Sequence, residues 1–110
     1  MKLPNPEQAI IDSEKLSGYC LNPEHPDGQH KARVFQSVLG LRQENEEELR
    51  NALKEALKNY NAAFERENSY GKKYIIDFSM NRRDKQAIVR SVWIVRFEEN
   101  FPRLVTCYIP

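Results

Sequence analysis

Few features of this 110-residue chain are abundant, and each scarcity excludes something. It has two cysteines, Cys20 and Cys107, with neither CxxC nor CxxH spacing, so both read as reduced packing residues rather than a disulfide or a zinc site. It has four glycines, none in a glycine-rich phosphate loop, so nucleotide fingerprints are missing. No apolar run is long enough to span a bilayer, and MKLPNPEQAI lacks the apolar core of a signal peptide, so no membrane contact and a cytoplasmic location are expected. Seventeen basic residues against sixteen acidic ones leave a net charge of +1, so any charged site must be local. The two histidines, His25 and His30, form no ligand spacing with Asp27 or Asp77, so neither metal nor cofactor is expected. Ser91 has no G-x-S-x-G elbow, which argues against serine catalysis.

What is present describes one domain, residues 1–110. Four of the six prolines fall in the first thirty residues, so that third is irregular, with one short helical candidate after Asp12 whose apolar face is Leu16, Tyr19 and Cys20. A helix is predicted from about residue 29 to Gly40, a left-handed cap. A second is predicted over 45–67, capped at Asn45, with Glu48 three residues on and a stripe of Leu49, Leu53, Ala56, Leu57, Tyr60 and Phe64. From Tyr70 the period changes to two: KYIIDFSM, AIVRSVWIVRF and RLVTCYI alternate and are separated by charged or Pro-containing turns. The middle run is apolar on both faces, as a central strand should be. In the last, Leu104, Thr106 and Tyr108 are predicted to share a face. The expectation is α+β: an irregular N-terminal region and two to three helices packed on one face of a three- to four-stranded antiparallel sheet.

Lys31 disturbs this pattern. In HPDGQHKARVF it opens the helix on the same stripe as Val34, Phe35, Val38 and Leu39. Either its stem packs while the ammonium snorkels out or pairs with Asp27 or Asp77, or the lysine faces a site on the sheet.

Three stretches carry a resemblance: LPNPEQAIIDSEKLSGYCLNPEHPDGQHKARVFQSVLGL, YGKKYIIDF, and VRSVWIVR followed by FPRLVTCYIP. Together they resemble a small, uncharacterised bacterial domain family, found alone or at the C-termini of larger proteins resembling polymorphic toxins. More distantly, helices followed by an antiparallel sheet ending in RLVTCYI look like the barnase, EndoU, colicin and RelE-like toxin nuclease fold. That resemblance implies RNA cleavage without metal, by a few His, Lys, Arg, Thr or Tyr side chains, and a small antitoxin or immunity protein as partner.

Such cleavage needs a base for the 2′-hydroxyl, an acid for the 5′-oxygen and fixed positive charge at phosphorus. His30, at a helix N-terminus, is the candidate base, Lys31 and Arg90 the cations, Thr106 and Tyr108 the hydroxyl donors. Trp93, Ser91 and His25 are the substrate-binding candidates, Trp93 through base stacking, although a tryptophan in such a strand is more commonly core. The expected activity is a toxin-like ribonuclease with an RNA substrate. The alternative is a non-catalytic module of a bacterial two-protein system that binds another small protein, which the near-zero net charge favours.

Overall fold

The computed structural model describes residues 1–110. Short turns at Pro6–Gln8 and Ser13–Lys15 and a π-helical turn at Leu16–Cys20 precede helix α1 (Gln29–Leu39) and helix α2 (Glu46–Asn59). Strands β1 (Ala63–Glu67), β2 (Gly71–Arg82), β3 (Lys85–Arg96) and β4 (Pro102–Tyr108) form one antiparallel sheet in that spatial order. The expected α+β class and the central position of β3 both hold.

Helix α1 starts where the turn presses on the π-helical segment: a Cβ on Gly28 would lie 2.1 Å from the Tyr19 carbonyl oxygen, so only glycine fits. It ends at Gly40, whose φ of 68° turns the chain so that the following Leu41 N–H reaches back to the Phe35 carbonyl. The buried arc is Ala32, Phe35 and Leu39, while Val34 and Val38, expected inside, are each 37% exposed. At about 100° per residue those valines lie on one flank of the arc together with Lys31.

Helix α2 has Glu46, Glu47 and Glu48 at its positive end and buries Leu49, Leu53, Ala56 and Leu57. Its predicted extension to residue 67 is wrong. Tyr60 is already extended, and residues 63–67 form β1, an edge strand with every residue exposed. Tyr60 and Phe64 continue the helical period but meet the sheet differently, packing edge-on against Phe78 and Tyr74. The predicted caps differ too. Neither Asp12 nor Asn45 caps the helical turn that follows it, and the Asn45 side chain instead accepts from the Arg42 N–H.

The helices cover one sheet face, where Tyr74, Ile76, Phe78, Met80, Val89, Trp93, Leu104 and Cys107 join α1 and α2 in the core. Trp93 is fully buried and its indole N–H donates to Ser91 Oγ, which itself donates to the Ile76 carbonyl. This pair is a satisfied core contact, and neither side chain faces solvent where a base could stack.

A β-bulge changes the facing of β4. Val92 pairs with Thr106 but Trp93 pairs with Leu104, so Val105 is an extra residue. Leu104 therefore turns into the core, whereas Thr106 and Tyr108 stand on the opposite, outer face. The predicted shared face is corrected accordingly.

The N-terminal third is held by specific bonds. Ile10 bridges β4, accepting from the Leu104 N–H and donating to the Pro102 carbonyl. The Arg50 guanidinium on α2 donates to the Ile11 carbonyl and to Ser13 Oγ, while Glu46 accepts from Ser13 Oγ and the Ser17 N–H.

Candidate functional site

Where the irregular N-terminal third meets the outer edge of β4, several polar side chains converge. Lys31, near the start of α1, sends its ammonium past the helix end to the Tyr19 hydroxyl, 3.1 Å away. The charge lies 4.9 Å from the Tyr19 ring centroid and 5.6 Å from that of Tyr108. Two aromatic faces therefore stabilise it. No carboxylate is within ion-pair distance; Asp27 and Asp77, the expected partners, are not used. The lysine is half-buried because its stem packs on the flank of the core while its head occupies a tyrosine-lined notch.

Asp77 is engaged elsewhere, in a two-pronged pair with Arg90, both N···O distances being 2.9 Å. The Arg90 guanidinium holds the Asp77 carboxyl below the usual aspartate value, and Asp77, with the neighbouring Tyr108 phenol, raises Arg90 in turn. Arg90 and Tyr108 are cross-strand partners, so Tyr108 stands between two cations, Lys31 on its ring and Arg90 beside it.

Next to this array is a cleft of about 380 Å³, lined by Glu14, Lys15, Tyr19, His25, Val105 and Thr106. Thr106 Oγ1 is buried without any hydrogen-bond partner, the one such side-chain atom in the molecule. A hydroxyl in that state favours a ligand that supplies the missing partner.

The histidines serve differently from expectation. His25 Nδ1 accepts the N–H groups of both Asp27 and Gly28, at 3.0 Å each, and its ring meets Tyr19 edge-on at 4.8 Å. With Nδ1 occupied as an acceptor, Nε2 is the ring nitrogen left to serve as a hydrogen-bond donor in the cleft that His25 lines. His30 is exposed, and at about 100° per residue it lies on the side of α1 away from Ala32, Phe35 and Leu39. The fold does not bring it to Lys31.

Of the residues proposed from sequence, Lys31, Arg90, Thr106, Tyr108 and His25 are thus gathered at one edge, and His30, Trp93 and Ser91 are not. The sequence reading missed Tyr19 and Glu14. Tyr19 shares an apolar face with Leu16 and Cys20 and its half-buried ring does pack against the core, but its hydroxyl is left free to meet Lys31, which the face alone does not foretell. No three His, Cys, Asp or Glu side chains come together as metal ligands would. Chemically the site offers a phenol whose oxygen is held by an ammonium, a nearby carboxylate, and hydrogen-bond donors lining one cleft.

No helix is long and apolar enough to cross a membrane. No curated protein and no solved structure matches the chain. A family model described as Domain of unknown function (DUF6883) matches residues 2–110, so this chain belongs to that family over essentially its whole length.

Proposed function

We propose that the domain is a metal-independent ribonuclease of toxin type, acting at the seam between the N-terminal third and β4. The carrying observation is the Lys31 ammonium, unpaired with any acid and bound to the Tyr19 phenol at the mouth of a cleft containing Glu14 and an unpartnered Thr106 hydroxyl. In this reading a phosphodiester lies over Thr106 and Tyr108, with Lys31 and Arg90 offsetting its charge. Glu14, the one carboxylate lining the cleft, takes the proton of the ribose 2′-hydroxyl as its oxygen attacks phosphorus. Tyr19 gives its proton to the departing 5′-oxygen, and Lys31 stabilises the phenolate that remains. The products are a 2′,3′-cyclic phosphate and a 5′-hydroxyl, and the proton on Glu14 returns to Tyr19 through solvent. The cytoplasm is the place of action, and a small antitoxin or immunity protein is the partner that holds the activity in check.

Purified domain incubated with total tRNA and mRNA in EDTA should cut both, and Tyr19→Phe and Lys31→Met should each lower the rate on the order of a hundredfold or more. Absence of cleavage by the wild type, or equal cleavage by both variants, overturns the reading.

A second reading is a protein-binding module, and a separate observation favours it. Beyond β4 the outer sheet face stays open, with Ile75 and Ile94 half-buried and Ile88 51% exposed, and Arg90 is already neutralised by Asp77. A ribonuclease toxin should arrest the growth of a bacterial host unless its inhibitor is supplied. A binding module should be tolerated and should lose its partner on Ile88→Glu.

A further inference from the structure

The core contains two thiols that the proposed chemistry does not use. Cys20 ends the π-helical turn and Cys107 lies in β4, 87 positions later, yet their sulfurs are 3.6 Å apart and both side chains are fully buried. They are in van der Waals contact across the boundary between the irregular third and the sheet. Each is also a sequence neighbour of the cleft: Cys20 follows Tyr19, and Cys107 separates Thr106 from Tyr108. A disulfide needs its sulfurs about 2.0 Å apart, so an approach of roughly 1.5 Å, shared between the two segments, would close the bond. The π-helical turn belongs to no long helix and to no strand, so fewer backbone bonds oppose its share of that approach than in β4.

We propose that Cys20 and Cys107 form a latent disulfide, made when the chain folds in the presence of a low-molecular-weight disulfide such as oxidised glutathione and left as two thiols when it folds under reducing conditions. One cysteine thiolate attacks glutathione disulfide, giving a protein–glutathione mixed disulfide and releasing one reduced glutathione. The second cysteine, as thiolate, attacks the protein sulfur of that mixed bond and expels the second glutathione. In sum, two protein thiols are oxidised to one disulfide, and one glutathione disulfide is reduced to two thiols. The timing follows from burial. In the finished fold neither sulfur meets solvent, and the hydrogen bond with Cys20 together with burial pushes the Cys107 thiol well above its ordinary value, so little thiolate is available. Exchange therefore belongs to the folding chain, and the closed core afterwards shields either state from change. A chain folded in an oxidising compartment would carry the staple, and the same chain made in a reducing cytosol would not. This inference is independent of the ribonuclease reading, because it concerns the core beneath the cleft and not what the cleft binds.

The test uses the full chain, reduced and unfolded in denaturant, then refolded either in excess glutathione disulfide or in dithiothreitol. After oxidative refolding we expect no titratable thiol, a monomer, and a tryptic peptide linking Cys20 to Cys107 that disappears on reduction. The stapled protein should melt about 10 °C or more above the reduced one, since a long loop is closed in its unfolded state. Already-folded reduced protein given the same oxidant in native buffer should react at least roughly a hundredfold more slowly than refolding protein. Cys20→Ala and Cys107→Ala should each abolish the difference between the two refolding buffers. The proposal is overturned if both thiols stay titratable after oxidative refolding, if only intermolecular dimers form, or if the cross-linked monomer melts no higher than the reduced one.

Discussion

The N-terminal third and the four-stranded meander are held by different means. The meander is secured by backbone ladders on every strand and by a continuous apolar layer around Trp93, which is insensitive to any single polar group. Residues 1–28 have only three short turns of their own; they sink Leu3, Ile11, Leu16, Cys20 and Leu21 into the same core, and in place of ladders they have individual bonds, chiefly from Arg50 and Glu46 reaching up from α2 and through the bridge of Ile10 to β4. The candidate site draws Glu14, Tyr19 and His25 from the first region and Arg90, Thr106 and Tyr108 from the second, with Lys31 spanning both. A site on such a seam combines rigid walls on one side with an adjustable one on the other.

The comparison can be broken most forcefully in the sheet. Trp93→Ala should cost about 3–5 kcal/mol, read as a fall in denaturation midpoint or a failure to fold, because it empties the centre of the core and removes the indole donor to Ser91. Arg50→Ala should cost less, about 1–3 kcal/mol, and unevenly: amide exchange should accelerate in residues 1–28 while β2 and β3 keep their protection. Equal acceleration in the strands would show that the two regions are not separable.

Acidity should act on the same clamp. Hydrogen bonds from Ser17 and Ser13, with Arg50 adding to them, hold the Glu46 carboxyl down from 4.5 to about 2. A depressed folded-state value means that this stabilisation is complete above pH 4.5 and lost as the pH falls toward 2. Allowing for the part of Glu46 that meets solvent, it contributes about 1–2 kcal/mol. Urea melts at pH 6 and pH 3 should show a loss that Glu46→Gln no longer displays. The smallest effect belongs to the outer face. Asp77→Asn breaks an ion pair with both partners more than a third exposed, so the unfolding free energy should change by no more than about 0.5 kcal/mol. The same change frees Arg90 for an anion, so RNA affinity measured by anisotropy should rise in the ribonuclease reading.

The sequence disclosed what periodicity encodes. The alternation of residues 73–97 and the stripe of Leu49, Leu53, Ala56 and Leu57 predict the sheet and α2, because each depends on one buried face. Strand β1 was invisible for the converse reason: every residue of AFERE is exposed, so nothing in it alternates, and its existence depends on pairing with β2. Tyr60 and Phe64 then extended the helical period falsely, since both reach the sheet from a non-helical backbone. Within the site, Lys31 stood out as a cation on an apolar stripe, and Arg90 as a charge set between Ile88 and Val92 on its face of the strand. Tyr19 gave no signal, because a tyrosine three residues from Leu16 reads as core, where its ring does pack, and nothing in the sequence aims its hydroxyl at Lys31. His30 misled because adjacency to Lys31 in sequence means divergence on a helix.

The extra residue at Val105 makes sidedness in the last strand a question of odd and even. Were the strand regular at its full length, with Leu104 still inward, Thr106 and Tyr108 would turn inward and Cys107 would face water, dismantling the cleft and the sulfur contact at a stroke. Deleting Val105 itself would instead close the ladder with Leu104 still opposite Trp93 and Thr106 still opposite Val92, and the facings would survive. The sidedness of the end of this domain is therefore decided by one irregularity in pairing, and two chains could share every one of these side chains yet present opposite surfaces.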